Sequence, residues 1–313
     1  MQYRTIADLS ALVRANIHKV PHDIDIVVGV PRSGMLPAMM IALYLNKRVA
    51  DLDSFIDGRI YEAGVRSQYI SNTIIKKVLI VDDSICSGSA IKKAKKKIQD
   101  AGLPYQMIYL APIVTSDCKD LVDIFFEIID DERIFEWNLF HHSMLNDACL
   151  DIDGVLNVDP KFETDDDGDS YIHFLQTAKP LFIPTVPIDT LISCRLEKYR
   201  TYTEQWLRQY NVQYKHLVML DLPSKAARLK WNKHGHYKAQ YYQQQSELRL
   251  FIESSLKQAQ IIADYTQKPV ICIETNSLVK PTEYASKRKR VRKAIRRRFP
   301  TMYAFAQKLF KKN

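Results

Sequence analysis

Lys77-Val78-Leu79-Ile80-Val81-Asp82-Asp83-Ser84-Ile85-Cys86-Ser87-Gly88-Ser89-Ala90 decides the fold of the first half of the chain. The run Lys77 to Val81, apolar from Val78 onward and closed by two acids, reads as a strand buried on both faces. Its carboxylates then stand at the carboxyl end of a sheet, where open α/β folds bind ligands. The loop behind them consists of small hydroxyl residues and a glycine and runs into a helix expected over Ala90–Ala101. Backbone N–H groups in such a loop, backed by a helix dipole, suit a phosphate. Adjacent carboxylates suit vicinal hydroxyls, which donate hydrogen bonds. Together they describe a site for a 5-phosphorylated sugar.

Outward from this stretch the same rhythm repeats. Ile24–Val30 is an apolar run closed by Pro31 and followed by a helix over Met35–Leu45, and Met107–Val114 and Val122–Ile129 are further strand candidates. Strand, loop and helix in alternation imply a parallel sheet covered by helices. The pattern restarts at Ala148–Ile152. Strands are expected near Thr190–Ile192, Leu217–Leu220, Arg249–Ile252 and Pro269–Ile273, with helices over Glu197–Tyr210 and Leu256–Thr266. The predicted fold class is α/β, with two doubly wound parallel-sheet domains over residues 1–143 and 144–283. A basic amphipathic tail occupies residues 284–313.

The segment Val78–Ala90 resembles the motif of the type I phosphoribosyltransferases, which bind phosphoribosyl diphosphate. The resemblance implies that Asp82 and Asp83 contact the ribose hydroxyls. It implies that Ser84, Ile85, Cys86, Ser87, Gly88 and Ser89 wrap the 5-phosphate. Pro31, Arg32, Ser33 and Gly34, about fifty residues earlier, match in position the family's loop for the diphosphate leaving group, which binds with Mg²⁺ assistance. Asp53–Ser71 matches the mobile loop that excludes water from the reacting centre. Cys86 departs from the pattern, because many purine-using members carry an acid there and a thiol is a poor proton acceptor. This speaks against a purine acceptor. Trp137 resembles the aromatic end of the family domain, which shapes the acceptor pocket; a core tryptophan is the alternative. No general base is identified, with Asp57 and Glu62 as candidates.

The second half carries Ala148-Cys149-Leu150-Asp151-Ile152-Asp153-Gly154-Val155-Leu156. Acids at i and i+2 on a strand end point to the same side, and the glycine turns the chain away. Phosphoryl transfer needs a nucleophile, a general acid and a cation to screen oxygen charge; Asp151 and Asp153 supply the first two. The stretch resembles motif I of the haloacid dehalogenase superfamily of phosphatases. By that resemblance Ser193, at the end of Thr190–Ser193, binds the phosphoryl group, with Arg195 beside it. Glu253 would complete a Mg²⁺ shell with Asp151 and Asp153. Lys238 is the favoured neutralising lysine, with Lys225 and Lys230 as rivals. Only about forty residues separate Asp151 from Ser193, so the cap is small and the site would admit a bulky substrate end such as a glycan terminus. The acidic run Glu163–Asp169 is read as solvated, because Phe174 stands where a calcium loop needs its glutamate. His141, His142, His234 and His236 lack partners at zinc spacing and are read as surface or interface residues.

The chain has 313 residues and a formal charge of +9. Twelve Lys/Arg lie between Lys287 and the last residue with no acid among them, which leaves the first 286 residues at −3. A body built around nucleic acid is therefore disfavoured. In the tail, basic residues precede Met302, Tyr303, Phe305, Leu309 and Phe310 at near-helical spacing. Such a helix suits an anionic membrane surface; nucleic-acid binding and a solubilising tail are the alternatives. No apolar run reaches transmembrane length, and MQYRTIADLS lacks the pattern of a secretory signal. The 5 cysteines are scattered singly, so neither a disulfide framework nor a zinc site is indicated. The expected location is cytoplasmic, peripheral at the inner face of the membrane. A transferase joined to a phosphatase resembles the dual-domain ribofuranosyltransferases of bacterial surface polysaccharide assembly, which act on glycan acceptors, possibly lipid-linked. A nucleobase phosphoribosyltransferase fused to a nucleotidase is the alternative, as is a phosphoribosyl-diphosphate-sensing regulator.

Overall fold

The computed structural model describes residues 1–61, 74–161, 168–283 and 287. Glu62 and the rest of the expected mobile loop to Ser71, the acidic stretch 163–167 and the tail beyond 287 lie outside the described residues. The chain divides into two compact units, Met1–Trp137 and Asn138–Asn313.

The first unit runs β1 (Gln2–Arg4), α1 (Ile6–Asn16), β2 (Ile26–Gly29), α2 (Met35–Leu45), β3 (Arg48–Asp51), α3 (Leu52–Ile56), β4 (Lys77–Val81), β5 (Ser84–Ile85), α4 (Ser89–Asp100), β6 (Gln106–Val114), β7 (Ile124–Ile128) and β8 (Arg133–Phe135). The main sheet has the order β3-β2-β4-β6-β5, with β7 also paired to β6, and every pairing is parallel. Alternate residues of β4 feed two cores. Leu79 and Val81 pack with Leu9, Val13 and Ile41 of α1 and α2. Val78 and Ile80 pack with Phe55, Ala94 and Ile98 of α3 and α4. Helices therefore cover both faces, and four consecutive side chains of β4 are fully buried, each contributing about 1.5–3 kcal/mol. Thr5 starts α1 through a capping box with Asp8. β1 and β8 form a separate two-stranded parallel sheet, which the sequence did not suggest because each strand is only three residues long.

The second unit runs β9 (Ala148–Leu150), α5 (Gly168–Thr177), β10 (Ile188–Leu196), α6 (Arg200–Gln209), β11 (Tyr214–Leu220), α7 (Lys225–Trp231), α8 (His234–Gln244), β12 (Leu250–Glu253), α9 (Leu256–Thr266), β13 (Val270–Cys272) and β14 (Ser277–Val279). The sheet order is β11-β10-β9-β12-β13-β14, parallel except for the final β13–β14 pair. Cys149, Ile192 and Phe251 pack against Tyr242 of α8 and Ile262 of α9. The single helix expected over Glu197–Tyr210 is instead a 3-10 turn, Glu197–Tyr199, followed by α6. β9 lies between β10 and β12, so the residues ending these three strands converge.

Candidate functional sites

In the first unit, β2 and β4 are neighbours in register, with Gly29 opposite Val81. Their carboxyl ends bring the Pro31–Gly34 loop against the acidic pair. Gly34 shows how closely. A Cβ there would stand 2.5 Å from the Val30 carbonyl oxygen, 2.7 Å from that of Val81 and 3.0 Å from the Asp82 Cα. Only a glycine permits this approach of two backbones. The Pro31–Arg32 peptide bond is cis, and Arg32 is exposed.

Asp82 and Asp83 are almost wholly buried, at 5% and 6% exposure. The Asp83 backbone N–H donates to Asp82 Oδ1 at 2.9 Å. The Trp137 indole N–H donates to Asp83 Oδ2 at 2.8 Å. Burial, and next the like charge of Asp83, pushes the Asp82 carboxyl up to about 7. The following loop is partly ordered as β5 and ends at Gly88, whose φ of 73° starts α4. Cys86, Ser87 and Ser89 are exposed, and the Ser87 and Ser89 hydroxyls lie 3.0 Å apart. The Cys86 carbonyl accepts from the Thr115 hydroxyl at 3.3 Å and the Cys118 thiol at 3.0 Å. Asp57, a candidate base, is exposed and pairs with Arg59 at 2.8 Å.

In the second unit, Asp151, Asp153, Ser193, Arg195 and Lys238 line one cavity of about 340 Å³. Lys238, in the middle of α8, donates to Asp151 Oδ2 at 2.7 Å and to Glu253 Oε2 at 2.8 Å. The rivals Lys225 and Lys230 belong to α7 and are not among the cavity's lining residues. Burial alone would lower the Lys238 ammonium, but Asp151 and Glu253 hold it above its ordinary value. One ammonium between two carboxylates leaves net negative charge, so burial, together with Glu253 and Asp153, still pushes Asp151 up against the pull of Lys238. Arg195, 2% exposed, forks Asp153 with Nη2 to Oδ1 at 2.6 Å and Nε to Oδ2 at 3.0 Å. It also donates to Thr203 Oγ1 at 3.2 Å and Asn157 Oδ1 at 3.2 Å. Ser193 Oγ accepts from the Arg195 backbone N–H at 3.1 Å.

The three carboxylates expected to hold Mg²⁺ offer hard oxygen donors, which suit that ion. Among the described residues, however, no group of three or more His, Cys, Asp or Glu is gathered as a metal-ligand cluster. Lys238 and Arg195 engage the acids instead. Glu253 is fully buried behind Lys238, its Oε1 accepting from the Ser254 and Ser255 backbone N–H groups at 3.1 and 3.3 Å. Asp151 and Asp153 face the cavity.

Among the lining residues that sequence reasoning missed are Asp159, Tyr171, Arg228 and His234. His234, read as a surface residue, opens α8 four residues before Lys238. That i, i+4 spacing puts both on one helix face and is the signal that could have found it. Asp159 follows Asp151 by eight residues; burial, with Asp153 and Glu253 nearby, raises its carboxyl. Arg228 comes from α7, and nothing in its sequence neighbourhood marks it.

Fold and geometry thus define a mixed α/β chain of two parallel-sheet units, each with an acid-tipped central strand. No family model and no curated protein matches it. Among solved structures, it is similar to a xanthine-guanine-hypoxanthine phosphoribosyltransferase of Helicobacter pylori, with 17% identity over 44% of this chain and 92% of that one and a TM-score of 0.33. A purine phosphoribosyltransferase of Pyrococcus horikoshii is 19% identical over 43% of this chain and 91% of its own, with a TM-score of 0.32. A Pnkp1/Rnl/Hen1 complex covers 87% of this chain and 94% of its own at 12% identity and a TM-score of 0.24. No helix among the described residues is long and apolar enough to cross a membrane.

Proposed function

We propose that the chain is a bifunctional enzyme that installs ribofuranose in a bacterial surface polysaccharide. The first unit transfers 5-phosphoribose from phosphoribosyl diphosphate to a glycan hydroxyl, and the second removes the 5-phosphate. The observation that carries this reading is the presence, in one chain, of two acid-tipped strands of different chemistry. Asp82 and Asp83 precede a small-residue loop at a helix start, suited to a diol and a phosphate. Asp151 and Asp153 share a cavity with Lys238 and Arg195, suited to a phosphate monoester.

In the first step the acceptor hydroxyl oxygen bonds to C1 of the ribose and gives up its proton to solvent, and diphosphate leaves with the electron pair of the broken C1–O bond. Asp82 and Asp83 hold the two ring hydroxyls, Ser84–Ser89 the 5-phosphate, and Pro31–Gly34 the diphosphate. In the second step the Asp151 carboxylate attacks phosphorus and Asp153 delivers a proton to the departing ribose oxygen; water then attacks the phosphorus of the Asp151 acyl phosphate and gives its proton back to the Asp153 carboxylate, which releases inorganic phosphate and restores Asp151. Lys238 neutralises Asp151, and Ser193 positions the phosphoryl oxygens. Mg²⁺, when bound, screens phosphate charge; Asp151 and Asp153 are the residues that would hold it. The basic tail would keep the enzyme at an anionic membrane, where lipid-linked acceptors reside.

The test is an incubation with phosphoribosyl diphosphate, Mg²⁺ and either glycan acceptors or nucleobases. Ribosylated glycan without retained phosphate is expected. Asp151→Asn should stop the sequence at acceptor-linked 5-phosphoribose, seen by mass as a retained phosphate. Conversion of nucleobases without glycan product would overturn the reading in favour of nucleotide metabolism.

A further inference from the structure

The acidic pair and the loop of the first unit are both held by one segment outside them. β8 is anchored by β1, with Ile134 opposite Tyr3. Arg133 of β8 is buried, and its guanidinium donates to the Ile85 carbonyl, inside the loop, at 2.7 Å. It also donates to the Ile129 carbonyl at 2.8 Å. Four residues on, the Trp137 ring stacks on Phe135, with centroids 4.7 Å apart and planes 3° from parallel. Its N–H donates to Asp83 Oδ2. With Asp82 Oδ1 taken by the Asp83 N–H, Asp82 Oδ2 and Asp83 Oδ1 remain without a protein N–H donor among the described residues. The two carboxyls also lie within hydrogen-bond reach of each other, so a cis-diol would take the place of that contact.

A pentose 5-phosphate carries its phosphate on a short exocyclic arm, so the distance between its ring diol and its phosphate varies only within narrow limits. A site for it must fix the carboxylates and the loop relative to each other, and the strand-to-loop connection alone leaves both with rotational freedom. We propose that Arg133 and Trp137 are positioning residues for the sugar donor: β8 and the two residues after it brace the loop through Ile85 and the diol-binding carboxylate through Asp83, setting their spacing. This rests on reading the first unit as a phosphoribosyl-donor site. Trp137 thereby acts on the donor side rather than as a wall of the acceptor pocket.

Trp137→Phe removes the N–H donor and part of the ring's packing area while keeping an aromatic face toward Phe135, so binding of inorganic phosphate at the loop serves as the control for lost packing. Calorimetric titration of the full chain with phosphoribosyl diphosphate and, separately, with inorganic phosphate reads the two halves of the site. A lost hydrogen bond to a charged group should weaken phosphoribosyl diphosphate about tenfold, with phosphate binding at the loop unchanged. Arg133→Lys keeps the charge but cannot span two carbonyls, and should weaken both ligands. Unchanged phosphoribosyl diphosphate affinity in Trp137→Phe overturns the brace, as does equal weakening of both ligands, which would mark a general packing role. Wild-type chain that binds no phosphoribosyl diphosphate sinks the donor reading itself and the brace with it. In an ¹⁵N-labelled ligand-free chain, the Trp137 indole N–H resonance should shift in Asp83→Asn; an unmoved resonance overturns the brace whatever the ligand.

Discussion

Lys238→Met is the sharpest perturbation the second unit offers. The ammonium is 2% exposed and sits between Asp151 and Glu253, whose side chains are 7% and 0% exposed. Removing it leaves two buried carboxylates facing each other with no cation at contact distance. Breaking a buried ion pair by deleting one partner costs about 3–5 kcal/mol. One amine serving two acids argues for the upper half of that range, about 4–5 kcal/mol. The deficit depends on pH with a definite sign. Carboxyls held above their unfolded values bind protons more tightly when folded, so the stability they contribute is present at low pH and lost as pH rises. Without Lys238 the Asp151 carboxyl, already raised by burial and neighbouring charge, is raised further, and the deficit should be largest near pH 8 and shrink toward about pH 5. Urea unfolding followed by fluorescence of Trp206 and Trp231, both in this unit, reads the change. With a slope of about 1–3 kcal/mol/M, the midpoint should fall by at least about 1 M. Lys238→Met/Glu253→Gln should recover much of the loss, because only one buried charge then remains. A midpoint within error of wild type, a deficit independent of pH, or no recovery in the double variant would refute the triad.

Asp82→Asn should separate stability from binding in the first unit. The wild-type carboxyl is raised from 3.8 to about 7 by burial and by Asp83, so wild type loses stability as pH rises through that window. The asparagine variant should not, gaining on the order of 2–4 kcal/mol relative to wild type at about pH 8 while losing affinity for phosphoribosyl diphosphate. Deleting residues 287–313 removes 12 positive charges and should abolish sedimentation with anionic vesicles while leaving turnover of a soluble acceptor intact. Unchanged co-sedimentation would place the membrane contact elsewhere.

Much of this architecture was legible because particular residues leave few choices. Lys77–Val81 and Met35–Leu45 were bounded correctly from sequence. One is an uninterrupted apolar run closed by acids, and the other is a charge-free stretch between Gly34 and the left-handed Asn46. The acids at 82, 83, 151 and 153 announced themselves by following apolar strands. The partners of those acids were less visible. Arg195 lies 42 residues from Asp153 and Lys238 lies 87 from Asp151; such pairings exist only once the sheet order brings β9, β10 and β12 together. The β1–β8 pair escaped notice because three-residue strands carry too little periodicity to register. Arg228 reaches the cavity through the placement of α7, which no local pattern encodes.

The Arg195–Asp153 fork bears directly on how the second unit could break a phosphate ester. Both Asp153 oxygens accept from one buried guanidinium, which donates two further bonds to Thr203 and Asn157. Four bonds hold the guanidinium in place, so the two-point grip fixes the Asp153 rotamer firmly. If Asp153 is the proton donor proposed above, its carboxyl must loosen one arm of the fork to deliver a proton, and Arg195 would govern that transfer. The leaving group separates this role from simple phosphate binding. An aryl phosphate departs without protonation, whereas an alkyl phosphate such as ribose 5-phosphate needs the proton. Arg195→Lys retains a charge but cannot grip both oxygens. It should lower kcat by about 10²-fold or more on alkyl phosphates, the scale of general-acid catalysis, with a much smaller effect on aryl phosphates and little change in KM. Asp153→Asn should show the same selectivity. Equal losses on both substrates, or a loss confined to KM, would mean that Arg195 binds the phosphate and that Asp153 is not the proton donor.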